Sequence, residues 1–99
     1  MKQIRWRPAA RADLIEIWIW TVEKWGDAKA DEYLAGIELA ANILCTHSAI
    51  GVDAGDIARG LRRHIVGHHH LYYFASQDRL DFVRVLHERM RTDLHMFDE

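Results

Sequence analysis

The chain has 99 residues, of which 49% are hydrophobic, and it carries a formal net charge of -2 at neutral pH. This length and composition predict one folded domain spanning residues 1–99 and exclude a disordered chain. The weak net charge excludes a protein that coats nucleic acid through bulk electrostatics. We also expect no direct sequence-specific DNA binding by this chain alone.

The sequence carries no sign of export or membrane insertion. No apolar run approaches the length of a membrane span, and the N-terminus lacks the hydrophobic core of a signal peptide. The single Cys45 cannot form an internal disulfide, and its place in a helical apolar pattern is typical of a small buried residue. We therefore expect a cytoplasmic protein without a membrane partner.

The first half of the sequence predicts a short strand and two helices. Polar and apolar residues alternate over 2–6, as in a strand, and Pro8 suits the first turn of the helix that follows. Gly26 supplies a stop for that helix. Asp27 can cap the second helix, which should end near residues 46–48.

Most apolar residues of the first helix fall on one stripe at helical spacing, which predicts its core face. The stripe contains Leu14, Ile17, Trp18, Thr21 and Trp25, widened by Ile15 and Ile19. We therefore expect Trp18 and Trp25 to be core residues. Trp20 lies off the stripe, and we expect it to be exposed as an anchor for a partner.

The second half predicts a Gly- and Asp-containing loop over 50–60, followed by three strands. The strands are predicted at 61–66, 68–75 and 80–87. Their short connections, at Gly67 and at 76–78, are typical of hairpin turns. The elements together predict an α+β fold of order β-α-α-β-β-β, with the helical hairpin packed on one face of a small antiparallel sheet.

The last strand carries apolar residues on both of its faces. Alternation puts Leu80, Phe82, Arg84 and Leu86 on one face and Asp81, Val83, Val85 and His87 on the other. Two helices can cover one face of a four-stranded sheet, but they cannot wrap both. The second face is therefore a candidate partner surface, which favours function by binding.

The ordered motifs of the chain resemble those of the ParE toxins of the ParE/RelE superfamily, from about residue 3 to residue 96. The matching features are Ala12-Asp13-Leu14-x-x-Ile17, Trp25-Gly26-x-x-x-Ala30 with Tyr33, Gly60-Leu-Arg-Arg63, Leu71-Tyr-Tyr73, Val83-Arg-Val-Leu-His87 with Arg89-Met90, and Asp93, Leu94 and His95. The resemblance implies the toxin of a type II toxin–antitoxin module, which acts by protein–protein binding and needs no cofactor. It also implies inhibition of DNA gyrase, and neutralisation by a ParD-like antitoxin in a heterotetramer.

We expect two interaction surfaces and no catalytic residues. The predicted antitoxin-binding residues are Ile17, Trp20 and Lys24 of the first helix and Arg62, Tyr72, Phe74 and Arg84 of the open sheet face. The predicted target-binding residues, which would carry toxicity, are Arg63, Arg84, His87, Arg89 and Arg91. Arginine suits such surfaces because its planar guanidinium offers a fork of hydrogen-bond donors.

The alternative function is the ribosome-dependent mRNA cleavage of RelE-like toxins, which requires a base, an acid and cations on the phosphate. The chain could supply arginines for the phosphate and His87 or Glu88 for proton transfer. However, no lysine follows Lys29, and Phe97 stands near the C-terminus where RelE-like nucleases are expected to carry a tyrosine. This pattern favours binding over cleavage.

The run His68-His69-His70 raises the possibility of a metal site, with His64 across the hairpin. No paired cysteine or carboxylate spacing accompanies these imidazoles to complete a coordination shell. We therefore expect an exposed hairpin and no metal site.

Overall fold

The computed structural model describes residues 2–90 and Thr92. The elements are β1 (Gln3–Trp6), α1 (Pro8–Trp25), α2 (Asp27–Thr46), β2 (Val52–Asp53), β3 (Arg62–Val66), β4 (His69–Ala75) and β5 (Arg79–His87). The two helices pack on a five-stranded sheet of order β1-β5-β4-β3-β2. The α+β fold is confirmed, but the sheet is mixed because β1 runs parallel to β5, and the predicted loop contributes the extra strand β2.

A single glycine separates the two helices. Pro8 is the first residue of α1, where its missing N–H costs no hydrogen bond, and Gly26 follows the helix with a φ of 90°. Gly26 also occupies the N-cap position of α2, so the prediction that Asp27 caps this helix is wrong. Asp27 lies in the first turn instead, where its carboxylate interacts favourably with the helix dipole.

The β3–β4 hairpin closes through the two residues Gly67 and His68, because Val66 pairs with His69. Gly67 has a φ of 58°, and no non-glycine residue in the described part of the chain has a positive φ. A glycine with positive φ at the first central position, followed by a residue with negative φ, is the pattern of a type II′ turn. This turn lies under Tyr33, since a Cβ added to Gly67 would lie 2.8 Å from the Tyr33 hydroxyl.

A β-bulge in β5 reverses the side-chain alternation of that strand. Tyr73 pairs with Phe82 and Tyr72 pairs with Arg84, so Val83 has no partner on β4. An extra residue exchanges the two faces beyond it. Leu80, Phe82 and Val85 consequently share the core under the helices, while Val83 and Leu86 lie on the opposite face. The regular alternation predicted for the whole strand is therefore wrong.

The face of the sheet away from the helices has its own apolar cluster. Ala54 and Leu61, at the two ends of the segment 54–61, pack with Tyr72, Val83 and Leu86. Tyr72 retains only 2% of its exposure, and Phe74 packs half-buried against the same cluster. The prediction of an open second face is wrong in this region, because the loop folds back over it.

The structure contains no helix, within its described residues, that is long and apolar enough to cross a membrane.

Candidate partner-binding site

Helix α1 is apolar on two opposite sides. Ala10 and Ile17 lie in the core, whereas Ile15, Ile19 and Trp20 are exposed on the other side. A helix that is apolar all round is normally buried on all sides. The outer side of α1 is therefore the candidate site for a partner.

Of the three tryptophans of α1 whose positions were predicted, two are placed differently from the prediction. Trp20 is 56% exposed, which confirms the expectation of exposure, but Trp25 is 68% exposed and is not a core residue. Trp18 is also exposed, and its indole Nε1 donates a hydrogen bond to an Asp31 carboxylate oxygen at 3.1 Å. Both residues lie outside the buried stripe of α1, which is formed by Ala10, Asp13, Ile17 and Thr21.

A groove of about 1130 Å³ runs between α1 and the end of β5, and we call it the α1–β5 groove. Ile17, Trp20 and Thr21 line its helical side, and Val85, His87 and Arg89 line its strand side. The β3–β4 turn and the start of α2 close one end. Of the predicted antitoxin-binding residues, Ile17 and Trp20 therefore lie together, although Ile17 is a buried residue at the base of the groove.

An ion pair fixes the position of α1 relative to β5. The Asp13 carboxylate accepts hydrogen bonds from Nε and Nη2 of Arg84, each at 2.8 Å, and one from the Val85 N–H at 2.9 Å. The hydrogen bonds to Asp13 raise the pKa of the Arg84 guanidinium further above its ordinary value. The charge of Arg84, a residue predicted for both interaction surfaces, is therefore engaged within the chain.

Histidines and a tyrosine line the turn end of the groove. The Tyr33 hydroxyl lies 2.5 Å from His69 Nδ1 and accepts a hydrogen bond from the His68 N–H at 3.1 Å. His68 Nδ1 lies 2.9 Å from a carboxylate oxygen of Glu88, and the rings of His69 and His87 meet edge to face. In the described residues, no group of three or more His, Cys, Asp or Glu side chains could hold a metal ion.

The pKa values of His69 and Tyr33 are shifted mainly by burial. Burial, followed by repulsion from His87 and His68, lowers the pKa of His69 to about 4. The neutral ring can then accept a hydrogen bond from the Tyr33 hydroxyl at Nδ1, and burial raises the pKa of Tyr33, which keeps this hydroxyl protonated. A hydrogen bond between uncharged groups therefore joins Tyr33 of α2 to His69 at the β3–β4 turn, and His68 of the same turn contacts the carboxylate of Glu88 just beyond β5.

The remaining predicted arginines occupy three different places. Arg62 donates from Nη2 to the carbonyl oxygens of Ala49 and Gly51, so it holds the loop against β3. Arg63 is half-buried opposite Tyr72, on the face covered by the segment 54–61. Arg89 is exposed at the rim of the groove, and Arg91 lies outside the described residues.

Lys24, a predicted antitoxin-binding residue, contacts the exposed Trp20. The Lys24 ammonium lies over the Trp20 ring, 5.8 Å from its centroid. Such a contact is a cation–π interaction, which places Lys24 beside Trp20, although only Trp20 lines the groove. The predicted turn over 92–97 and the motif residues 93–95 lie outside the described residues, apart from Thr92.

Comparison with known proteins identifies the family. The model of the ParE toxin of the type II toxin–antitoxin system parDE matches residues 4–92. Toxin ParE1 of Mycobacterium tuberculosis is 37% identical over 90 residues, which cover 90% of this chain and 92% of the relative. The chain belongs to the ParE toxin family.

Two further relatives agree with this membership. Toxin ParE1 of Caulobacter vibrioides is 29% identical over 96 residues, covering 97% of this chain and 99% of the relative. A solved chain described as the chromosomal ParDE TA system from P. aeruginosa superposes with a TM-score of 0.76 at 19% identity, covering 88% of this chain and 96% of that one. This likeness shows that the solved chain has the same fold, and the resemblance to ParE toxins is confirmed.

The role of Asp13 in this ParE-family chain was not predicted from the sequence. A signal was available, because Asp13 stands at helical spacing between Ala10 and Ile17 on the buried stripe of α1. A carboxylate in such a position requires a cationic or N–H partner. The partner could not be identified from sequence, since Arg84 is 71 residues away and its direction depends on the β-bulge.

Proposed function

We propose that this ParE-family chain is a toxin that inhibits its target by binding, and that an antitoxin neutralises it through the α1–β5 groove. The observation that supports this proposal most directly is the exposed apolar side of α1 beside the groove. Ile19, Trp20 and Trp25 are each about half exposed or more. Exposed tryptophans beside a groove are typical anchors of protein interfaces.

The antitoxin in this proposal is ParD-like and forms a heterotetramer with the toxin. The solved chain of the same fold is described as a ParDE system, which is consistent with such a partner. Grooves lined by apolar side chains commonly receive a partner segment that carries apolar anchors. Trp20 and Lys24, four residues apart on α1, would form the centre of this interface, with Ile17 at its base.

The structure changes the predicted contribution of the sheet to antitoxin binding. Tyr72 is buried under the segment 54–61, Arg62 holds the preceding loop, and Arg84 is paired with Asp13. We therefore propose that Arg62 and Arg84 position the surfaces around them. Phe74, half-buried beside the guanidinium of Arg7, remains a candidate contact.

The proposed target is DNA gyrase, contacted through the strand side of the groove. His87 and Arg89 lie there, and Arg91 follows them along the chain. Arg89 is exposed, and its backbone N–H donates to His87 Nδ1 at 3.1 Å, which orients the imidazole. Arg63 is the weakest member of the predicted set because it lies half-buried under the loop on the opposite face of the sheet.

The alternative, mRNA cleavage, has less support in the geometry. Two of the arginines that a nuclease would direct at a phosphate, Arg62 and Arg84, are engaged with loop carbonyls and with Asp13. His87 accepts the Arg89 N–H at Nδ1 and lies against the rings of His68 and His69. These contacts hold the groups in structural positions, which favours binding as the mode of action.

Induction of the chain in bacterial cells distinguishes the two functions. A gyrase inhibitor should elongate the cells and trigger a DNA-damage response within minutes, while reporter transcripts remain intact. Primer extension on the same transcript would show breaks in ribosomal A sites if the chain were a nuclease. Such breaks, abolished by His87→Ala, would overturn the proposal.

A further inference from the structure

Strand β5 is paired along only half of its outer edge. The parallel neighbour β1 pairs with Arg79–Phe82, and the last contact is the Arg7 N–H donating to the Phe82 carbonyl at 3.0 Å. The chain then leaves the sheet and enters α1. Within the described residues, no strand pairs with the outer edge of Val83–His87, and this part of β5 forms the wall of the α1–β5 groove.

The hydrogen bonds show which backbone groups face the groove. The Val85 N–H donates to Asp13 on α1, so the backbone of Val85 points away from β4. Alternation makes His87 point the same way, and its carbonyl accepts the Met90 N–H at 2.9 Å. The Glu88 N–H points in the opposite direction, donating to the His68 carbonyl at 2.8 Å. The Val85 carbonyl and the His87 N–H therefore face the groove.

The Val85 carbonyl and the His87 N–H can accept and donate the two hydrogen bonds of one parallel β-bridge. A residue of an added strand opposite Leu86 would donate its N–H to the Val85 carbonyl and accept the His87 N–H. Asp13 satisfies the Val85 N–H and Met90 satisfies the His87 carbonyl, so the bridge has one defined position along the edge.

We infer that the groove receives an extended segment of the antitoxin, which continues the line of β1 and pairs with Val85 and His87 of β5. This inference rests on the proposed function. A helix laid in the groove would satisfy its own backbone and would leave the Val85 carbonyl and the His87 N–H buried without partners. An extended segment satisfies both, as in strand addition at an exposed sheet edge.

The side chains around the edge indicate the chemistry of the segment. Ile17, Trp20 and Thr21 stand opposite the edge and favour apolar side chains. Asp13 is neutralised by Arg84, and Glu88 lies beside His68, while Arg89 remains exposed at the rim. Glu16 and Glu23 also line the α1 side of the groove and would repel an acidic residue there. The segment should therefore carry a carboxylate at its end near Arg89 and apolar residues along α1.

Amide hydrogen exchange, followed by NMR on the full chain, tests the pairing. The probe is the protein encoded by the reading frame adjacent to this gene. In the free chain the His87 amide should exchange quickly, and in the complex it should exchange at least tenfold more slowly. A His87 amide already protected in the free chain would show that the edge is covered within the chain, and would overturn the inference.

A matched pair of variants gives a second measurement. His87→Pro removes the N–H that faces the groove, whereas His87→Ala removes only the side chain. Proline is tolerated on an edge strand whose N–H faces outward, so both variants should keep the fold. We expect the dissociation constant of the complex, measured by calorimetry, to be at least tenfold larger for His87→Pro than for His87→Ala.

The outcomes separate this inference from the function on which it rests. Binding of the adjacent-frame protein with an unprotected His87 amide, or with equal affinities of the two variants, would overturn the strand pairing and leave the antitoxin proposal standing. No binding by the wild-type chain would overturn both. If His87→Pro failed to fold, the exchange measurement on the wild-type chain would still decide.

Discussion

The carboxylate of Asp13 on α1 accepts two hydrogen bonds, each 2.8 Å long, from the guanidinium of Arg84 on β5. The two residues are 71 positions apart in sequence, and their ion pair lies where β1 ends and the edge of β5 becomes unpaired. It therefore sets the width of the α1–β5 groove. Because the guanidinium is engaged in this pair, we propose that Arg84 positions the groove and does not itself contact a target.

Asp13→Ala should lower the free energy of unfolding by about 3 kcal/mol, because the Arg84 guanidinium would remain partly buried without its counterion. The Val85 N–H would lose its acceptor as well. Urea denaturation followed by circular dichroism measures the change. Glu32→Ala is the control, since the Lys29–Glu32 pair is exposed and should contribute less than about 0.5 kcal/mol. Equal losses in the two variants would contradict this account of the ion pair.

The two glycines Gly67 and Gly36 should respond to alanine with opposite signs. Gly67→Ala should destabilise the chain by about 1–2 kcal/mol, because φ is positive there and the new Cβ would meet the Tyr33 hydroxyl at 2.8 Å. Gly36→Ala should stabilise α2 by about 0.5–1 kcal/mol, since a Cβ there meets nothing within 4 Å. Thermal unfolding of both variants checks the signs. A tolerated Gly67→Ala would argue against the tight turn under Tyr33.

The hydrogen-bonded cluster around His69 should make stability depend on pH. The folded pKa of His69, about 4, lies below its ordinary value of 6.5, so the unfolded chain binds more protons between these two values. The free energy of unfolding should therefore fall as the pH falls from about 6.5 towards 4. His69→Gln should flatten this decline, measured by urea denaturation at a series of pH values.

The exposed His47 provides the control for this titration. His47→Gln should keep the decline of the wild-type chain, because this residue lies outside the cluster formed by Tyr33, His68, His69 and His87. A decline as steep in His69→Gln as in the wild-type chain would show that other groups cause it.

The fold could be predicted well from the sequence because its signals are local. Pro8 and Gly26 determine the ends of α1, and Gly67 determines the β3–β4 turn, so these boundaries agree with the structure. The β-bulge at Val83 has no local signal, and it reverses which face each later residue occupies. The covering of the second face by the segment 54–61 depends on long-range packing, which periodicity does not report.

The candidate site could be predicted only in part. Trp20 was identified because it departs from the core stripe, and its exposure agrees with this. The predicted core stripe of α1 included too many residues, and Trp25 is one that is exposed. Helical spacing alone does not separate residues that face the sheet from those that face outward. Contacts such as Asp13–Arg84 and Tyr33–His69 join distant parts of the chain and follow only from the tertiary structure.

Trp20→Ala should weaken the complex with the adjacent-frame protein by about 2 kcal/mol or more, as expected for a tryptophan anchor at the centre of an interface. Its effect on folding should be small because the side chain is more than half exposed. Leu39→Ala on α2 is the matched control, because Leu39 is similarly exposed but is not one of the residues that line the groove. Calorimetry measures both affinities. Equal affinities would place the antitoxin elsewhere on the chain.

The most direct test of the central claim is a DNA supercoiling assay with purified gyrase, the purified chain and the adjacent-frame protein. We predict that the chain inhibits supercoiling, that prior addition of the adjacent-frame protein relieves the inhibition, and that Arg89→Ala inhibits at least tenfold less than the control Arg59→Ala, which changes an exposed arginine of the 54–61 segment. Supercoiling that continues unchanged in the presence of the folded chain would contradict the account, and cleavage of a reporter mRNA by the same preparation on translating ribosomes would favour the alternative.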